Sequence, residues 1–140
     1  MLWLLVLLSI IQAEEIEQIF ANIYPSTLTM EDMEEYVYDP STLQVYDAKP
    51  WFIKFYAPWC GHCKALTPVW EELSEKNKSF NVGKVDCTDE DNFELCVQFG
   101  VKGYPTLILL SQDRYYKYKG PRDYEPLLEF ATGGYKNSPL

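Results

Sequence analysis

Apolar and polar positions along the chain follow two periods, and these predict an ordered series of strands and helices. Four stretches are aromatic, β-branched or alternating in the manner of strands, and they cover residues 51–56, 81–86, 106–110 and 114–119. Apolar residues three and four positions apart predict helices over residues 30–38, from residue 60 to about residue 77, over 91–99 and over 123–131. This order predicts an α/β domain with a central mixed sheet and helices on both of its faces.

Three of the predicted helices carry details that the structure can test. Thr29 followed by Asp32 predicts the start of the first of them, because a threonine before a helix accepts a bond from its first turn. In the helix over 91–99, Phe93, Cys96 and Val97 share the apolar face. In the last helix that face is formed by Tyr124, Leu127, Leu128 and Ala131.

The N-terminal segment has a different pattern from the rest of the chain. Leu2–Ile11 is apolar apart from Ser9, and Ala13 follows. This is typical of a secretory signal cleaved after Ala13, because a membrane span needs about 20 apolar residues; a buried N-terminal strand or helix is the alternative. Residues 14–25 are predicted to be an acidic arm. Residues 133–140, which open on Gly133-Gly134, are predicted to be a tail or linker.

Composition and charge narrow the possible partners. The 140 residues suit one domain, and a hydrophobic share of 47 % argues against disorder. With 12 basic and 21 acidic side chains the formal charge is −9, which disfavours nucleic acid and anionic membranes. The acidic runs are interpreted as solvated faces, and the basic and aromatic stretch Tyr115–Lys119 as an edge strand.

The chemistry of the chain centres on its cysteines and its single histidine. Cys60-Gly61-His62-Cys63 stands where a predicted strand meets a helix. Free N–H groups and the positive end of the helix dipole favour a thiolate there, and His62 adds a nearby donor or cation. Cys63 is spaced to reach back to Cys60 and resolve a mixed disulfide. An inert disulfide and half of a zinc site are the alternatives.

The other two cysteines, Cys87 and Cys96, have eight residues between them, which is poor spacing for metal ligands. Spacing favours a structural disulfide between them, and two buried thiols are the alternative. Asn77-Lys78-Ser79 matches the acceptor sequence for glycosylation.

The segment Ala57–Lys64 resembles the active-site segment of the protein disulfide isomerase family. Gly103-Tyr104-Pro105-Thr106 resembles the family's second landmark, a cis-proline loop beside the two sulfurs, and Val85–Thr88 and Phe99–Val101 also match. The resemblance covers residues 26–132. It implies a thioredoxin fold of the catalytic a-type, in a single copy.

The resemblance also implies roles for individual residues. Cys60 is the expected exposed nucleophile and Cys63 the buried resolving thiol. Pro105 is expected to be cis, and the substrate groove is expected to be formed by Trp59, Tyr104, Pro105 and Thr106. Arg122 resembles a family arginine that approaches the site and tunes the resolving cysteine.

One position departs from the family pattern. A buried acid usually stands six residues before the first active cysteine, where it shuttles a proton for the second, and here that residue is Lys54. A buried lysine loses its charge or extends its amine to water. Lys84, which matches the usual partner of the acid, is then left without it. We expect slower thiol exchange at neutral pH than in a relative with the acid.

These features predict a thiol–disulfide oxidoreductase or isomerase of the endoplasmic reticulum lumen or another secretory compartment. The expected partners are unfolded or misoxidised proteins together with redox partner proteins or glutathione. No cofactor, metal, nucleic acid or membrane span is expected. Secretion is also compatible with Ser138-Pro139-Leu140, which is not a retention signal. A net reductase and a client-binding module without turnover are the alternatives.

Overall fold

A four-stranded mixed sheet forms the centre of the computed structural model, which describes residues 1–21 and 26–138. The strands are β1 (Trp51–Tyr56), β2 (Asn81–Asp86), β3 (Thr106–Ser111) and β4 (Arg114–Lys117), in the spatial order β2-β1-β3-β4. β1 is parallel to β2 and antiparallel to β3, and β3 pairs antiparallel with β4. The predicted mixed sheet is confirmed.

Helices lie on both faces of this sheet. The chain begins with α1 (Leu2–Ala21), which is not among the elements packed on the sheet in the described part of the chain. The other helices are α2 (Met30–Asp32), which continues into a π-helical turn over Met33–Val37, α3 (Gly61–Lys76), α4 (Phe93–Gln98) and α5 (Tyr124–Thr132), with short 3₁₀ turns at Glu90–Asn92 and Gly134–Asn137. Thr29 caps α2 as predicted: its hydroxyl accepts a bond from the Asp32 N–H (3.1 Å), and the Asp32 carboxylate accepts one from the Thr29 N–H (2.8 Å).

Two hydrophobic clusters, one on each side of β1, hold the helices to the sheet. Since alternate residues of a strand point to opposite faces, Ile53 packs with residues of α4 and of the α2 turn, whereas Phe52 packs with α3 and α5. Lys54 has the same parity as Phe52 and so points toward the α3 side. One charged residue, Lys54, therefore lies on the face of β1 that Phe52 shares and that packs against α3 and α5.

The face that α4 buries differs from the predicted one. Leu95 and Cys96 are buried, but Phe93 is 65 % and Val97 61 % exposed. The chain enters α4 through the 3₁₀ turn, where Asn92 accepts a bond from the Met30 N–H and donates one to the Asp86 carbonyl. Those bonds fix the orientation of the helix, so the expected grouping of Phe93 and Val97 with Cys96 on the buried face is wrong.

The C-terminal residues also differ from prediction. Gly134–Asn137 forms a turn that buries Tyr135, whose ring lies 5.2 Å from that of Tyr116 and 6.3 Å from that of Phe130. This segment is part of the domain instead of a free tail, because burial of the Tyr135 ring removes a large apolar surface from water. Pro139 and Leu140 lie outside the described residues.

At the N-terminus, α1 spans Leu2–Ala21 and passes through the predicted cleavage point after Ala13. The described part of the chain contains no helix that is both long and apolar enough for a membrane crossing. The predicted acidic arm falls partly in α1, and its residues 22–25 lie outside the described residues. The signal segment itself stays a prediction.

Candidate active site

The two cysteines of the motif lie at the first turn of α3, directly after β1. Cys60 is the N-cap residue, with extended backbone, and its sulfur accepts a bond from the Cys63 N–H at 3.2 Å. Both thiols are free and nearly buried, with Cys60 7 % and Cys63 3 % exposed. The arrangement follows from the local sequence, since an N-cap side chain receives the unpaired N–H groups of the helix that it begins.

The environment of Cys60 lowers the pKa of its thiol. The largest cause is a hydrogen bond from the Cys63 side chain, which outweighs the opposing effect of burial; the backbone N–H groups of Cys63 and His62 and the Arg122 cation act in the same direction. The contribution of His62 comes through its backbone N–H, while its side chain is exposed, as is Gly61. Cys60 is therefore the residue that becomes a thiolate first.

The pKa of Cys63 is shifted in the opposite direction. Burial raises it most, and the neighbouring Cys60 raises it further, whereas a bond from the Ala57 backbone and the Lys54 cation lower it. Cys63 thus keeps its proton while Cys60 loses one. Cys60 is buried as well as Cys63, so the expectation of an exposed nucleophile is wrong. The opposite pKa shifts are those that the predicted division of roles requires, and that division stays a proposal.

A cis peptide bond shapes the loop opposite the cysteines. The Tyr104–Pro105 bond is cis, as the resemblance implied, and the Cys60 sulfur lies 3.6 Å from the Tyr104 carbonyl oxygen. The Thr106 hydroxyl donates to the Gly103 carbonyl at 2.7 Å and closes the loop. Trp59 is 70 % exposed, and its ring lies nearly perpendicular to that of Tyr104, with 5.8 Å between the ring centres. The structure brings the four predicted groove residues together around Cys60.

Lys54 occupies the position of the expected acid and is only 3 % exposed. Burial lowers its pKa, and the positive charge of Lys84, its register partner on β2, lowers it further. The two amines lie 5.3 Å and 6.0 Å from the centre of the Tyr56 ring. A cavity of about 180 Å³ borders both lysines, with Thr67 and Glu71 of α3 on its wall. A cation therefore stands where the resemblance leads one to expect a carboxylate.

The Arg122 cation contributes to the low pKa of Cys60. Its expected effect on the resolving Cys63 stays a prediction. Arg122 is exposed on the loop between β4 and α5. That placement makes Arg122 a neighbour of the nucleophile and of whatever binds beside it.

The second cysteine pair is a disulfide. Cys87 and Cys96 are bonded, with 6.0 Å between their Cα atoms, which is the pairing that spacing favoured. These sulfurs are thus not available to complete a zinc site with Cys60 and Cys63. Among the described residues there is no group of three or more histidine, cysteine or acidic side chains able to hold a metal ion.

Asn77 has a structural role that its sequence motif does not reveal. It caps the C-terminus of α3, and its side-chain nitrogen donates to the Leu73 carbonyl (3.1 Å) and to the Tyr124 hydroxyl (3.2 Å). A glycan would attach to that same nitrogen. The half-buried, doubly bonded amide argues against the use of this acceptor site in the folded chain.

The site also contains residues that sequence reasoning missed. Lys102, Lys117 and Lys119 line a cavity next to the cis-proline loop. Lys117 and Lys119 alternate in the strand predicted over residues 114–119, a pattern that also fits an edge strand; β4 ends at Lys117, so Lys119 lies on the loop that follows. Lys102 comes from the loop before Pro105, and only the fold brings it to the other two.

Comparisons with known proteins agree with this geometry. Human protein disulfide-isomerase TMX3 is 47 % identical over 85 residues, which are 58 % of this chain and 18 % of that protein. A thioredoxin domain-containing protein of Theileria parva is 47 % identical over 90 residues, 63 % of this chain and 40 % of its own length. The chain thus spans well under half of the curated relatives that it matches here.

Among solved structures, the J-Trx1 fragment of ERdj5 has a TM-score of 0.65 and 30 % identity, covering 80 % of this chain and 50 % of that one. The first thioredoxin domain of mouse protein disulfide-isomerase A4 has a TM-score of 0.65 and 26 % identity, covering 81 % and 77 %. The family profile described as Thioredoxin matches residues 27–133. With this match over the whole sheet and its helices, the chain belongs to the thioredoxin family.

Proposed function

We propose that the chain is a thiol–disulfide oxidoreductase that exchanges disulfides with protein substrates through Cys60 and Cys63. The observation that supports this most is the opposite shift of the two thiol pKa values at one helix start. The nucleophile lies 3.6 Å from the cis-proline loop. Several similar proteins are named protein disulfide-isomerase.

The exchange proceeds in two balanced steps. The Cys60 thiolate attacks one sulfur of a substrate disulfide, forms a mixed disulfide and releases the other substrate sulfur as a thiolate. Cys63 then loses its proton and attacks the Cys60 sulfur, which releases the second substrate thiolate. The substrate has gained two electrons and the protein holds a Cys60–Cys63 disulfide. The reverse order oxidises a dithiol. Isomerisation follows when another thiolate of the same substrate attacks the substrate sulfur of the mixed disulfide, which forms a new substrate disulfide and releases Cys60 as a thiolate.

The groove beside Cys60 suits an extended polypeptide. Pro105 lacks an N–H group, and the backbone next to it is open toward the Cys60 sulfur, so a substrate strand can pair along the loop. Trp59 and Tyr104 provide apolar surface next to that strand. Electrons enter or leave through substrate thiols, redox partner proteins or glutathione, so the proposed reaction requires no bound cofactor.

A secretory compartment is the proposed location. Leu2–Ile11 has the pattern of a secretory signal, and the Cys87–Cys96 disulfide is of a kind that persists in oxidising compartments. The predicted processing after Ala13 can be tested by expressing the chain in a secretory host and reading the N-terminus of the mature product.

Refolding of reduced ribonuclease and reduction of insulin test the activity. We expect the wild-type chain to accelerate both reactions and Cys60→Ser to lose the acceleration. Cys63→Ser should accumulate mixed disulfides with the substrate, because it forms the first bond but cannot resolve it. Equal rates with wild type and Cys60→Ser would contradict the proposed exchange activity.

A client-binding module with weak turnover is the second candidate. It is favoured by Lys54, which gives the buried Cys63 no carboxylate to accept its proton, and by the exposed ring of Trp59. Binding of unfolded peptides can be followed by tryptophan fluorescence in a Cys60→Ser, Cys63→Ser double variant, with Trp59→Phe in the same background to identify the contribution of Trp59 among the four tryptophans. Tight binding by this variant together with no exchange by wild type would favour the module.

A further inference from the structure

A second cavity, of about 380 Å³, opens beside the cis-proline loop and shares two residues, Pro105 and Thr106, with the proposed substrate groove. Its wall comes from three segments: the loop before β3, the end of β4 and the loop between β4 and α5. The lining residues that carry charge are Lys102, Lys117, Lys119 and Arg122. We call this space the basic cavity.

The four cations of the basic cavity have no carboxylate among the residues that line it. Within the described part of the chain, neither Lys102, Lys119 nor Arg122 forms an ion pair, although the sequence holds 21 acidic side chains. The Lys117 amine donates to the Gly100 carbonyl at 3.0 Å. Asp123 and Glu129 act on Tyr118, which also lines the cavity, and offset part of this charge. Because no carboxylate stands in the lining itself, the four cations create a local positive field on a chain whose net charge is −9.

The walls of the basic cavity are held in place by the fold. The bond from Lys117 to Gly100 ties β4 to the loop that leads to Pro105. On the other side, the Tyr118 hydroxyl donates to the Pro121 carbonyl. A Cβ at Gly120 would lie 2.7 Å from that hydroxyl, so the loop needs glycine to pass so closely over the ring. Lys119 and Arg122 therefore stand on a loop that is fixed from both ends.

We propose that the basic cavity binds the carboxylates of aspartate and glutamate residues that flank the reacting cysteine of a polypeptide substrate. The inference rests on the proposed exchange function and adds a substrate class to it, namely acidic client segments. A client strand that passes Pro105 continues directly over the cavity. At about 3.3 Å per residue, side chains a few positions from its cysteine reach the lysines.

The shape of the basic cavity favours a peptide over a small anion as its occupant. It is continuous with the groove, so backbone pairing and charge pairing can act on one chain. Arg122 acts on Cys60 electrostatically, so the cation field extends from the cavity to the nucleophile. Several cations along one path can meet successive acidic side chains, whereas glutathione carries only two carboxylates on a short chain.

Trapping kinetics with matched peptides test the inference. Cys63→Ser is reacted with pyridyl-disulfide peptides that are identical except for two positions beside the cysteine, occupied by Glu, Gln or Lys. We expect the Glu peptide to react about fivefold faster than the Gln peptide at low salt, and the Lys peptide to be slowest. The difference should shrink at high ionic strength, because salt screens exposed charges.

A charge reversal locates the effect. In Cys63→Ser, Lys119→Glu the Glu-to-Gln rate ratio should fall to one or below, and the Lys peptide should gain. Lys49→Glu in the same background is the matched control, because it changes the net charge equally but lies before the opposite end of β1 from Cys60. Lys49→Glu should keep the Glu-to-Gln rate ratio of Cys63→Ser alone. An equal fall in both variants would overturn the site in favour of an effect of net charge.

The remaining outcomes separate the inference from the function. Three peptides that react at one rate overturn the acidic preference while exchange itself stands. No reaction with any peptide overturns the proposed function instead. In another outcome the three peptides react at one rate, while oxidised glutathione reacts faster than its neutral esters and Lys119→Glu removes that difference. This result would overturn the peptide as the occupant and assign the cavity to small thiol carboxylates.

Discussion

Cys60 and Cys63 are chemically identical residues three positions apart, and yet their environments move their pKa values in opposite directions. The first cysteine receives hydrogen bonds from the second and from the start of α3, while the second is buried beneath it. The pair is coupled through one hydrogen bond, so each thiol sets the behaviour of the other. Reactivity at this site is a property of the pair.

That coupling gives the first prediction. Cys63→Ala removes the donor that most lowers the Cys60 pKa, whereas Cys63→Ser keeps an O–H donor in nearly the same place. The pH midpoint for alkylation of Cys60 by iodoacetamide should therefore move upward in Cys63→Ala. In Cys63→Ser it should stay closer to the wild-type value. Identical midpoints in the two variants would show that the hydrogen bond does not control Cys60.

Lys54 gives the second prediction at this scale. Lys54→Glu places a proton acceptor near Cys63, where the resemblance leads one to expect an acid. The rate of mixed-disulfide resolution at neutral pH, measured by stopped flow, should rise by about tenfold. Lys54→Met is the control: it removes the cation that lowers the Cys63 pKa and adds no base, so its rate should not exceed that of wild type. An unchanged or lower rate in Lys54→Glu would contradict the interpretation.

At the scale of elements, both ends of α3 carry a special side chain. Its N-cap is Cys60, the proposed nucleophile, and its C-cap is Asn77, which joins the last turn to α5 through the Tyr124 hydroxyl. A helix that holds a reactive residue at its first turn gains precision when its last turn is fixed to a neighbour. The same asparagine belongs to an acceptor sequence for glycosylation, so two uses compete for one nitrogen.

Two substitutions separate these uses. Asn77→Ala removes both hydrogen bonds and should lower the free energy of unfolding by about 1–2 kcal/mol. Ser79→Ala destroys the acceptor sequence without touching the bonds, and its stability in urea should match that of wild type. Mass spectrometry of wild type from a secretory host should find Asn77 unmodified. Equal stability of the two variants, or full glycan occupancy, would contradict a structural role for Asn77.

At the scale of the whole molecule, the Cys87–Cys96 disulfide closes the path from the end of β2 to α4. It anchors the short helix that covers one sheet face opposite α3 and α5. Closing a loop of this length restricts the unfolded chain and should contribute about 2–3 kcal/mol of stability. Two of the four cysteines thus form a disulfide, and the two free thiols are the pair proposed to exchange disulfides.

Equilibrium unfolding measures that contribution. The double variant Cys87→Ala, Cys96→Ala should lose about 2–3 kcal/mol relative to the oxidised wild type. A strong reductant should lower the stability of wild type toward that of the variant and leave the variant itself unaffected. A variant as stable as the oxidised wild type would contradict the assigned role.

Much of the fold could be predicted from local patterns. Neighbouring residues are enough to mark three of its elements: the strand Trp51–Tyr56, the start of α2 at Thr29 and the helix that follows Cys60. The cis bond at Pro105 and the groove came from the resemblance of short motifs. The predictions failed where contacts between distant residues determine the structure. The buried face of α4 includes Leu95 because Asn92 bonds to Met30, and Tyr135 packs against residues of β4 and α5.

The sequence by itself predicted the order of the four strands and of the helices between and after them, placed the first cysteine pair at a helix start and favoured a disulfide between the other two cysteines. These depend on spacing along the chain, which a linear pattern records. Only the tertiary structure decided that Arg122 acts on Cys60, that Asn77 caps α3 against α5, and that Lys102 joins Lys117 and Lys119. The physical reason is that electrostatic and hydrogen-bonding effects depend on distance through space, and the fold sets that distance.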